Sequence, residues 1–411
     1  MHRRAVLGSA VAGISSISLA RAAETVAWPS WRGPTRDGMC AGQNWSKNLD
    51  GLKLEWSVDL ADSYSGPIVA GGKVFTTETV GKRDETLIAF DVESGNEVWK
   101  QAWAGAMTVP FFAKANGDWI RSTPATDGEY VIVGGMKDVV AAFDAESGQE
   151  QWRIDFVKDH GAALPPFGLV CSPAIVGDSV YMQAGGAVRC IDRKTGELKW
   201  ECLPDDGGMS GGAFSSPTIA TIHGKEQLVV QTRTTLGGVD MKTGAVLWQR
   251  DIAAFRGMNI LTPTVWKDCV FTSSYGGKAQ LIEFNTSSTP WSTSVKWENK
   301  AEAYMSSPLV VGDYLYMHLK NNRCCCLDLN TGEEKWRTTP FGKYWSMLSD
   351  GSTIIALDER GELILVEATP DAYVELARKQ ITDQQAWAHI AVHDGRIFVR
   401  RQRGLDVYSW A

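Results

Sequence analysis

This 411-residue chain has eight cysteines and six histidines, the residue types most often used as metal ligands and catalytic groups. Their spacing suits neither a metal site nor an active site. No Cys-x-x-Cys pair occurs, so a zinc site or a dithiol redox motif is a weak interpretation. The histidines are scattered and lack the short intervals that metal ligands show. A nucleophile elbow and a Walker-type phosphate loop are also missing from the sequence. We therefore predict no catalytic residue and no metal site.

Cationic and aromatic side chains offer a binding chemistry instead, because they recur at equivalent places of a repeated pattern. Lys or Arg occupies one set of turns in seven of eight units, and we take these residues as a ligand-binding rim: Arg83, Lys137, Arg233, Lys278, Arg323, Arg360 and Arg403. The segments between units add five candidates: Arg121, Arg256, Tyr304, Trp345 and Trp387. A cationic rim suits an anionic ligand or an acidic partner surface, and Trp345 or Trp387 suits a flat ring. The alternative is that the cations are solvated turn residues, neutralised by neighbours such as Asp84 and Glu359.

The elements that must position these side chains are clearest in residues 172–200. Short apolar runs alternate there with the turn signals Gly177-Asp178, Gly185-Gly186 and Thr195-Gly196. Glycine adopts positive φ without steric cost, so each pair predicts a turn between antiparallel strands. The stretch therefore predicts one four-stranded sheet and no helix. A sheet this small cannot bury both faces alone and has to stack on copies of itself.

The same unit recurs along most of the chain, with Gly four residues and Trp eight residues after an Asp. Five copies keep this spacing: Asp91, Gly95 and Trp99; Asp144, Gly148 and Trp152; Asp192, Gly196 and Trp200; Asp240, Gly244 and Trp248; Asp328, Gly332 and Trp336. Degenerate copies at Asn285, Glu367 and Asp406 bring the count to eight. We interpret these residues as structural: the Asp binds turn amides, the Gly takes a left-handed conformation, and the Trp packs between neighbouring sheets with its N–H paired.

The first turns of the units give a second, independent count of eight. The last unit has only three strands, whereas residues 53–58 form an orphan strand, with Trp56, ahead of the first unit. We predict an all-β, eight-bladed β-propeller over residues 53–411. In this propeller the early strand lies beside residues 404–410 and completes the last four-stranded antiparallel blade. Closing the ring in this way removes exposed sheet edges.

The N-terminal residues have the order of an export signal. Arg3 and Arg4 precede a short apolar run and a small-residue cleavage site, so we predict a signal peptide of the twin-arginine type at residues 1–23. Residues 24–52 form a lead segment. Because no Cys lies near the cleavage site and no later stretch could span a membrane, we expect a soluble protein of the periplasm or cell envelope without a lipid anchor. A net charge of −7 without a basic block argues against nucleic-acid binding.

The units also carry Ser-Pro or Thr-Pro where their first strands begin: Thr123-Pro124, Ser172-Pro173, Ser216-Pro217, Thr262-Pro263 and Ser307-Pro308. With the Asp–Gly–Trp spacing, residues 53–411 resemble the pyrroloquinoline-quinone (PQQ) repeat family. Residues 28–38 resemble the opening of exported PQQ-like propellers. The resemblance implies an eight-bladed propeller and two kinds of function. Some members are dehydrogenases that bind PQQ and calcium, whereas BamB-like members make protein contacts and bind no cofactor.

The residues that the resemblance implies for a dehydrogenase are not found here. Such enzymes carry an adjacent-Cys disulfide over PQQ, acidic and amide calcium ligands, and a catalytic Asp. The run Cys324-Cys325-Cys326 instead falls in a third strand, where other units have Ala89 or Ala142, so we interpret it as packed thiols. No calcium ligand or catalytic Asp can be transferred to this sequence.

We therefore expect an exported, non-catalytic, monomeric propeller that acts as a binding or assembly scaffold through its funnel face. Its partner would be an envelope protein, an anionic small molecule or a polymer, and no cofactor is predicted. Two alternatives remain open, because a fold does not decide a function. One is a quinoprotein-type oxidoreductase that uses PQQ with calcium, and the other is a carbohydrate-binding accessory protein.

Overall fold

Eight four-stranded antiparallel sheets dominate the computed structural model, which describes residues 27–40, 45–205 and 214–410. The predicted signal peptide, residues 1–23, lies outside the described residues. The strands are β1 (Leu52–Asp59), β2 (Ile68–Ala70), β3 (Lys73–Val80), β4 (Asp84–Asp91), β5 (Glu97–Trp103), β6 (Ala125–Thr126), β7 (Tyr130–Gly135), β8 (Val139–Asp144), β9 (Glu150–Asp155), β10 (Ala174–Val176), β11 (Ser179–Ala184), β12 (Ala187–Asp192), β13 (Leu198–Cys202), β14 (Thr218–Ile222), β15 (Lys225–Gln231), β16 (Thr235–Val239), β17 (Val246–Asp251), β18 (Thr264–Trp266), β19 (Cys269–Ser273), β20 (Ala279–Asn285), β21 (Ser292–Asn299), β22 (Leu309–Val311), β23 (Tyr314–His318), β24 (Cys324–Asp328), β25 (Glu334–Arg337), β26 (Trp345–Ser349), β27 (Thr353–Asp358), β28 (Glu362–Glu367), β29 (Glu375–Gln380), β30 (Ala391–His393), β31 (Arg396–Arg401) and β32 (Gly404–Trp410). Short helical turns occur at Phe111–Asn116, Phe156–His160 and Phe255–Gly257.

The sheets are the blades of a propeller, and seven of them consist of consecutive strands. Blades 1 to 7 begin at β2, β6, β10, β14, β18, β22 and β26, and the first strand of each blade lies innermost. Blade 8 takes β30, β31 and β32, with β1 as its outermost strand. In that pair Leu52 lies opposite Trp410 and Asp59 opposite Gly404. The predicted all-β eight-bladed propeller is confirmed, and the early strand completes the last blade.

The Trp residues of the repeat pack against the turn of the next blade. The indole N–H of Trp99 donates to the carbonyl oxygen of Ala145 at 3.2 Å, and a Cβ added to Gly148 would lie 2.6 Å from the same ring. This close approach, together with a φ of +73°, explains why Gly stands at that position. Equivalent hydrogen bonds to the next blade come from Trp56, Trp152, Trp200, Trp297 and Trp336.

Trp248 departs from this pattern for a reason visible in the sequence. The following blade carries the degenerate copy at Asn285, which lacks the Asp and the Gly of the turn. The indole N–H of Trp248 donates instead to Gln227 Oε1, 2.6 Å away in the same blade. The ring is fully buried and packs 4.5 Å from Phe284 of the next blade. Packing between blades is therefore kept although the repeated hydrogen bond is lost.

The Ser-Pro and Thr-Pro steps join neighbouring blades around the central channel. The N–H of Thr123 donates to Ser172 Oγ, that of Ser172 to Ser216 Oγ, and that of Ser216 to Thr262 Oγ1, at 2.9–3.1 Å. Gly66 N–H donates to Thr123 Oγ1 at 2.9 Å and extends the chain to blade 1. Five consecutive blades are thus connected by one relay of backbone amides and hydroxyls.

Candidate functional site

Residues 27–40 of the lead segment, which we call the plug, lie inside the channel and block it. Trp28 and Val69 exchange two backbone hydrogen bonds of 2.8 Å, which fixes the plug to the first strand of blade 1. At its other end Cys40 N–H donates to Ser349 O at 2.8 Å, in the first strand of blade 7. Both ends of the plug are therefore fixed on the side of blades 7, 8 and 1, and its middle reaches across the channel to blades 3 and 4.

Two arginines anchor the middle of the plug. Arg36 donates to the carbonyl oxygens of Pro173 at 2.6 Å, and of Ser172 and Pro217 at 3.1 Å. Arg32 donates to the carbonyl oxygens of Pro308 and Asp37. The plug thus uses carbonyl groups next to the Ser-Pro steps of blades 3, 4 and 6 as its acceptors.

Both guanidinium groups are buried, with 1% of Arg32 and 4% of Arg36 exposed. Burial lowers the pKa of each to about 10, so both remain charged at neutral pH. Within the described part of the chain neither forms an ion pair with a carboxylate. Their charge is stabilised by carbonyl dipoles and by the indole of Trp31, whose ring centre lies 5.4 Å and 5.8 Å from the two guanidinium carbons. The charge of Asp37 also favours the protonated form of Arg32.

A cavity of about 180 Å³ opens above the plug, with Trp31 in its wall. Its lining includes the relay hydroxyls of Thr123, Ser172, Ser216 and Thr262. These residues precede the first strands of their blades, so the cavity lies at the funnel end of the channel. On the other side of the plug, a second depression is lined by Pro34, Thr35 and the first strands of blades 2 to 4.

Aromatic rings form two opposed walls of the funnel cavity. On the side of blades 7, 8 and 1, Trp387 is stacked between Tyr64 and Tyr344, at ring-centre distances of 4.9 Å and 6.2 Å. On the side of blades 3 and 4, Phe167 and Phe214 lie 5.8 Å apart. The cavity suits a flat apolar group held between rings.

Three nitrogen atoms at this cavity are buried without a hydrogen-bond partner in the described structure: Arg121 Nε, Trp387 Nε1 and His389 Nε2. Among the described lining residues none is Asp or Glu, although the whole chain has a net charge of −7. Burial lowers the pKa of His389 well below its usual value, and the neighbouring charge of Arg32 acts in the same direction. The ring of His389 is therefore neutral.

The predicted rim cations lie in the turns between second and third strands, and most of them face a carboxylate. Arg233 is 2.8 Å from Asp205, Arg360 is 3.0 Å from Asp358, and Arg403 is 3.1 Å from Asp62. Arg83 pairs with Asp84 at 2.7 Å, and Lys278 pairs with Glu298. Arg323 donates to the carbonyl oxygen of Thr338 at 2.6 Å, and half-buried Lys137 lies close enough to Glu85 to act on its pKa. The rim therefore carries little uncompensated positive charge.

The other predicted binding residues divide into two groups. Arg121, Tyr304 and Trp387 line the cavity. Trp345 is 1% exposed and donates to Asp358 Oδ2 at 3.1 Å behind the cavity wall, and Arg256 is exposed, over the ring of Phe255. Tyr344, the residue just before β26, lines the cavity, whereas Trp345, the first residue of that strand, is directed behind the wall.

Sequence reasoning missed Trp31 and His389 as cavity residues and the two buried arginines as anchors. The signal for the anchors was Trp28, Trp31, Arg32 and Arg36 within nine residues, a composition too rich in aromatic and planar groups for a solvated lead segment. His389 had no signal, because it follows Trp387 in an otherwise ordinary segment between blades.

The described residues do not fit PQQ bound through calcium. The described cavity lining has no carboxylate, and we find no group of three or more His, Cys, Asp or Glu placed to hold a metal ion in the described ranges. All eight cysteines lie in those ranges and none forms a disulfide. Cys324, Cys325 and Cys326 are buried in β24, in agreement with their interpretation as packed thiols.

The ring of eight four-stranded blades, with Trp–turn contacts from blade to blade, defines a PQQ-like β-propeller. A family model described as outer membrane protein assembly factor BamB matches residues 40–101 and 83–338, more than half of the chain. The chain therefore belongs to this family.

Individual relatives are distant. The outer membrane protein assembly factor BamB of Moranella endobia (strain PCIT) is 24% identical over 257 residues, or 60% of this chain. That match spans 64% of the relative, just under two thirds of its length. Among solved structures, BamB from Moraxella catarrhalis has a TM-score of 0.63 at 14% identity and covers 87% of this chain and 97% of its own. Quinohemoprotein alcohol dehydrogenase from Comamonas testosteroni has a TM-score of 0.67 at 13% identity, covering 95% and 81%. At such identities the structural likeness shows the fold alone.

Helices in the described ranges are all too short or too polar to traverse a lipid bilayer.

Proposed function

We propose that this protein is an exported, non-catalytic scaffold that takes part in outer membrane protein assembly and binds an envelope protein through its funnel face. Membership of a family described as an outer membrane protein assembly factor supports a role in this assembly. The export signal predicted in the sequence supports the location in the envelope. The lack of fit to calcium-bound PQQ speaks against the oxidoreductase alternative, and neither the comparisons nor the cavity favour a carbohydrate-binding role.

The observation that carries the choice of surface is a group of three exposed phenylalanines on the funnel face, which we call the crown: Phe111, Phe112 and Phe255. Their exposed fractions are 84%, 56% and 50%. All three lie in short helical turns between blades, on the face that bears the cavity. Phe112 packs 6.2 Å from Phe167 in the cavity wall. Exposed aromatic side chains grouped on one face are typical of a protein-binding surface.

The test measures binding of a urea-unfolded outer-membrane β-barrel protein that is diluted into buffer with this propeller. We expect the double substitution Phe111→Ser and Phe112→Ser to weaken the affinity about tenfold or more, since exposed aromatic anchors dominate such contacts. The matched control is Leu54→Ser with Val98→Ser. These residues are 52% and 47% exposed but lie in outermost strands, away from the funnel face. Equal loss in both variants would contradict the proposed surface.

A further inference from the structure

Three arginines lie at or beneath the funnel cavity of a protein that is acidic as a whole, and the described cavity lining has no carboxylate. Arg32 and Arg36 lie beneath Trp31 without an ion-pair partner among the described residues, and Arg121 lines the wall. Arg121 donates to the carbonyl oxygen of Gly117 and lies 6.0 Å from the ring of Tyr64, while its Nε is unpartnered. Cations in a site shielded from solvent attract an anion more strongly than cations at a wet surface.

His389 adds a buried hydrogen-bond donor on the same side of the cavity. It is 5% exposed, and its Nδ1 lies 3.0 Å from Ser346 Oγ, which also accepts the N–H of Ile390 at 3.0 Å. The Ser346 hydroxyl has no other acceptor in the described structure, so its proton goes to Nδ1. A neutral imidazole then carries its own proton on Nε2, the atom that has no partner.

The relay hydroxyls supply further donors. In the hydrogen bonds of the described residues, Thr123 Oγ1, Ser172 Oγ and Thr262 Oγ1 accept backbone amides and do not donate. Each therefore keeps a proton for a further acceptor. Ser216 Oγ also accepts an amide, but its hydroxyl bonds the thiol of Cys171. A site with guanidinium, imidazole N–H, indole N–H and hydroxyl donors, and no carboxylate in its described lining, selects an acceptor with negative charge.

We infer that the funnel cavity is a metal-free binding site for a small aromatic carboxylate. The ligand's ring lies between the Tyr64–Trp387–Tyr344 stack and the opposite Phe wall, and its carboxylate faces the side of Arg121 and His389. The cavity volume of about 180 Å³ is below the range usual for drug-sized ligands, so the ligand has one or two rings. This site goes beyond the proposed scaffold role and does not depend on it.

The experiment is a calorimetric titration of the full chain with benzoate and indole-3-acetate, each compared with its amide. We expect one ligand per chain and binding of the acid at least tenfold tighter than that of the amide, because only the acid forms charge-assisted hydrogen bonds. Cyclohexanecarboxylate tests the ring contacts and is expected to bind more weakly than benzoate. Equal affinity of acid and amide, or no binding of either acid at millimolar concentration, overturns the inference.

Variants locate the site. Arg121→Gln is expected to weaken binding of the acid about tenfold or more, with little effect on the amide. Arg83→Gln is the matched control, since it removes the same charge from an exposed side chain on the same face, and it is expected to change the affinity less than twofold. If Arg121→Gln does not fold, the acid and amide comparison on the unaltered chain decides the question by itself. Binding that requires added calcium, for these acids or for PQQ, would overturn the metal-free site.

Discussion

Arg36 Nη1 lies 2.6 Å from the carbonyl oxygen of Pro173, a residue 137 positions further along the chain. The same side chain reaches Ser172 and Pro217, so one guanidinium links the plug to two neighbouring blades. The plug is therefore an integral part of the propeller, and the charge that holds it also gives the cavity above it an anion-attracting character.

Removing this anchor is expected to destabilise the whole molecule. Arg36→Met leaves three buried carbonyl oxygens without their donor, and we expect the free energy of unfolding to fall by about 2 kcal/mol or more. Urea unfolding followed by tryptophan fluorescence measures the change. Arg83→Met is the control, with an expected change within about 0.5 kcal/mol because its side chain is 81% exposed. If the two variants lose equal stability, the anchor role is wrong.

Closure of the ring can be tested through Trp56, which donates to the carbonyl oxygen of Val92 in blade 1 at 3.1 Å. Trp56→Phe keeps an aromatic ring but removes the donor, so a loss of about 1 kcal/mol in unfolding free energy is expected. Trp291→Phe provides the comparison, because the indole nitrogen of Trp291 has no partner among the hydrogen bonds of the described residues. A Trp56 variant as stable as the Trp291 variant would show that this bond adds nothing to closure.

Acid sensitivity is expected from His318, which is 2% exposed and lies 3.0 Å, through Nε2, from Gly342 O. Burial lowers the pKa of His318 to about 4, below its usual value of 6.5. As the pH falls, the unfolded chain therefore protonates His318 at a higher pH than the folded chain does. The contribution of the neutral His318 to the free energy of unfolding is complete above pH 6.5 and is lost as the pH falls toward 4. The loss amounts to about 3 kcal/mol.

The measurement compares urea unfolding of the unaltered chain and of His318→Gln at pH 7 and pH 4.5. Glutamine keeps a donor for Gly342 but does not titrate, so the stability gap between the two proteins should shift in favour of the variant at pH 4.5. The comparison is needed because burial raises the pKa of Glu85 to about 7 and of Asp138 to about 6, which acts in the opposite direction. A constant gap across this range would refute the role of His318.

Thiol chemistry should distinguish the folded from the unfolded protein. Six cysteines are buried, Cys202 and Cys269 are partly buried, and burial raises the pKa of Cys171, Cys202 and Cys326 to about 12. A thiol reagent at pH 8 is therefore expected to react with at most two groups in the native state and with all eight in urea. Fewer than eight thiols in urea would reveal a disulfide and reopen the comparison with the dehydrogenase site.

The fold could be predicted from the sequence because the contacts between blades depend on residues at a short, repeated spacing. The repeated spacing consists of an Asp, a Gly four residues later and a Trp eight residues later. It predicts both the turn of one blade and the packing of that blade against the next. The closing strand was predictable for a related reason, since residues 53–58 looked like a fourth strand without a sheet.

The candidate site could be predicted only in part. Arg121, Tyr304 and Trp387 belong to segments between blades, and the repeat places such segments on the funnel face. The plug was not predicted, because Arg32 and Arg36 find their acceptors as far as 276 residues away, and no local pattern encodes so distant a carbonyl group. Trp345 shows the remaining limit: a single step along the chain decides whether an aromatic side chain enters the cavity or the core.

Two of the first-made segments of this molecule have partners in its last-made blades. Residues 27–40 leave the ribosome before any blade exists, yet their docking sites include Pro308 and Ser349, and β1 has to await β32. A nascent chain therefore carries two early segments that stay accessible to proteases until late blades form. Protection of those two segments from proteolysis would therefore indicate that the last-made part of the chain has folded.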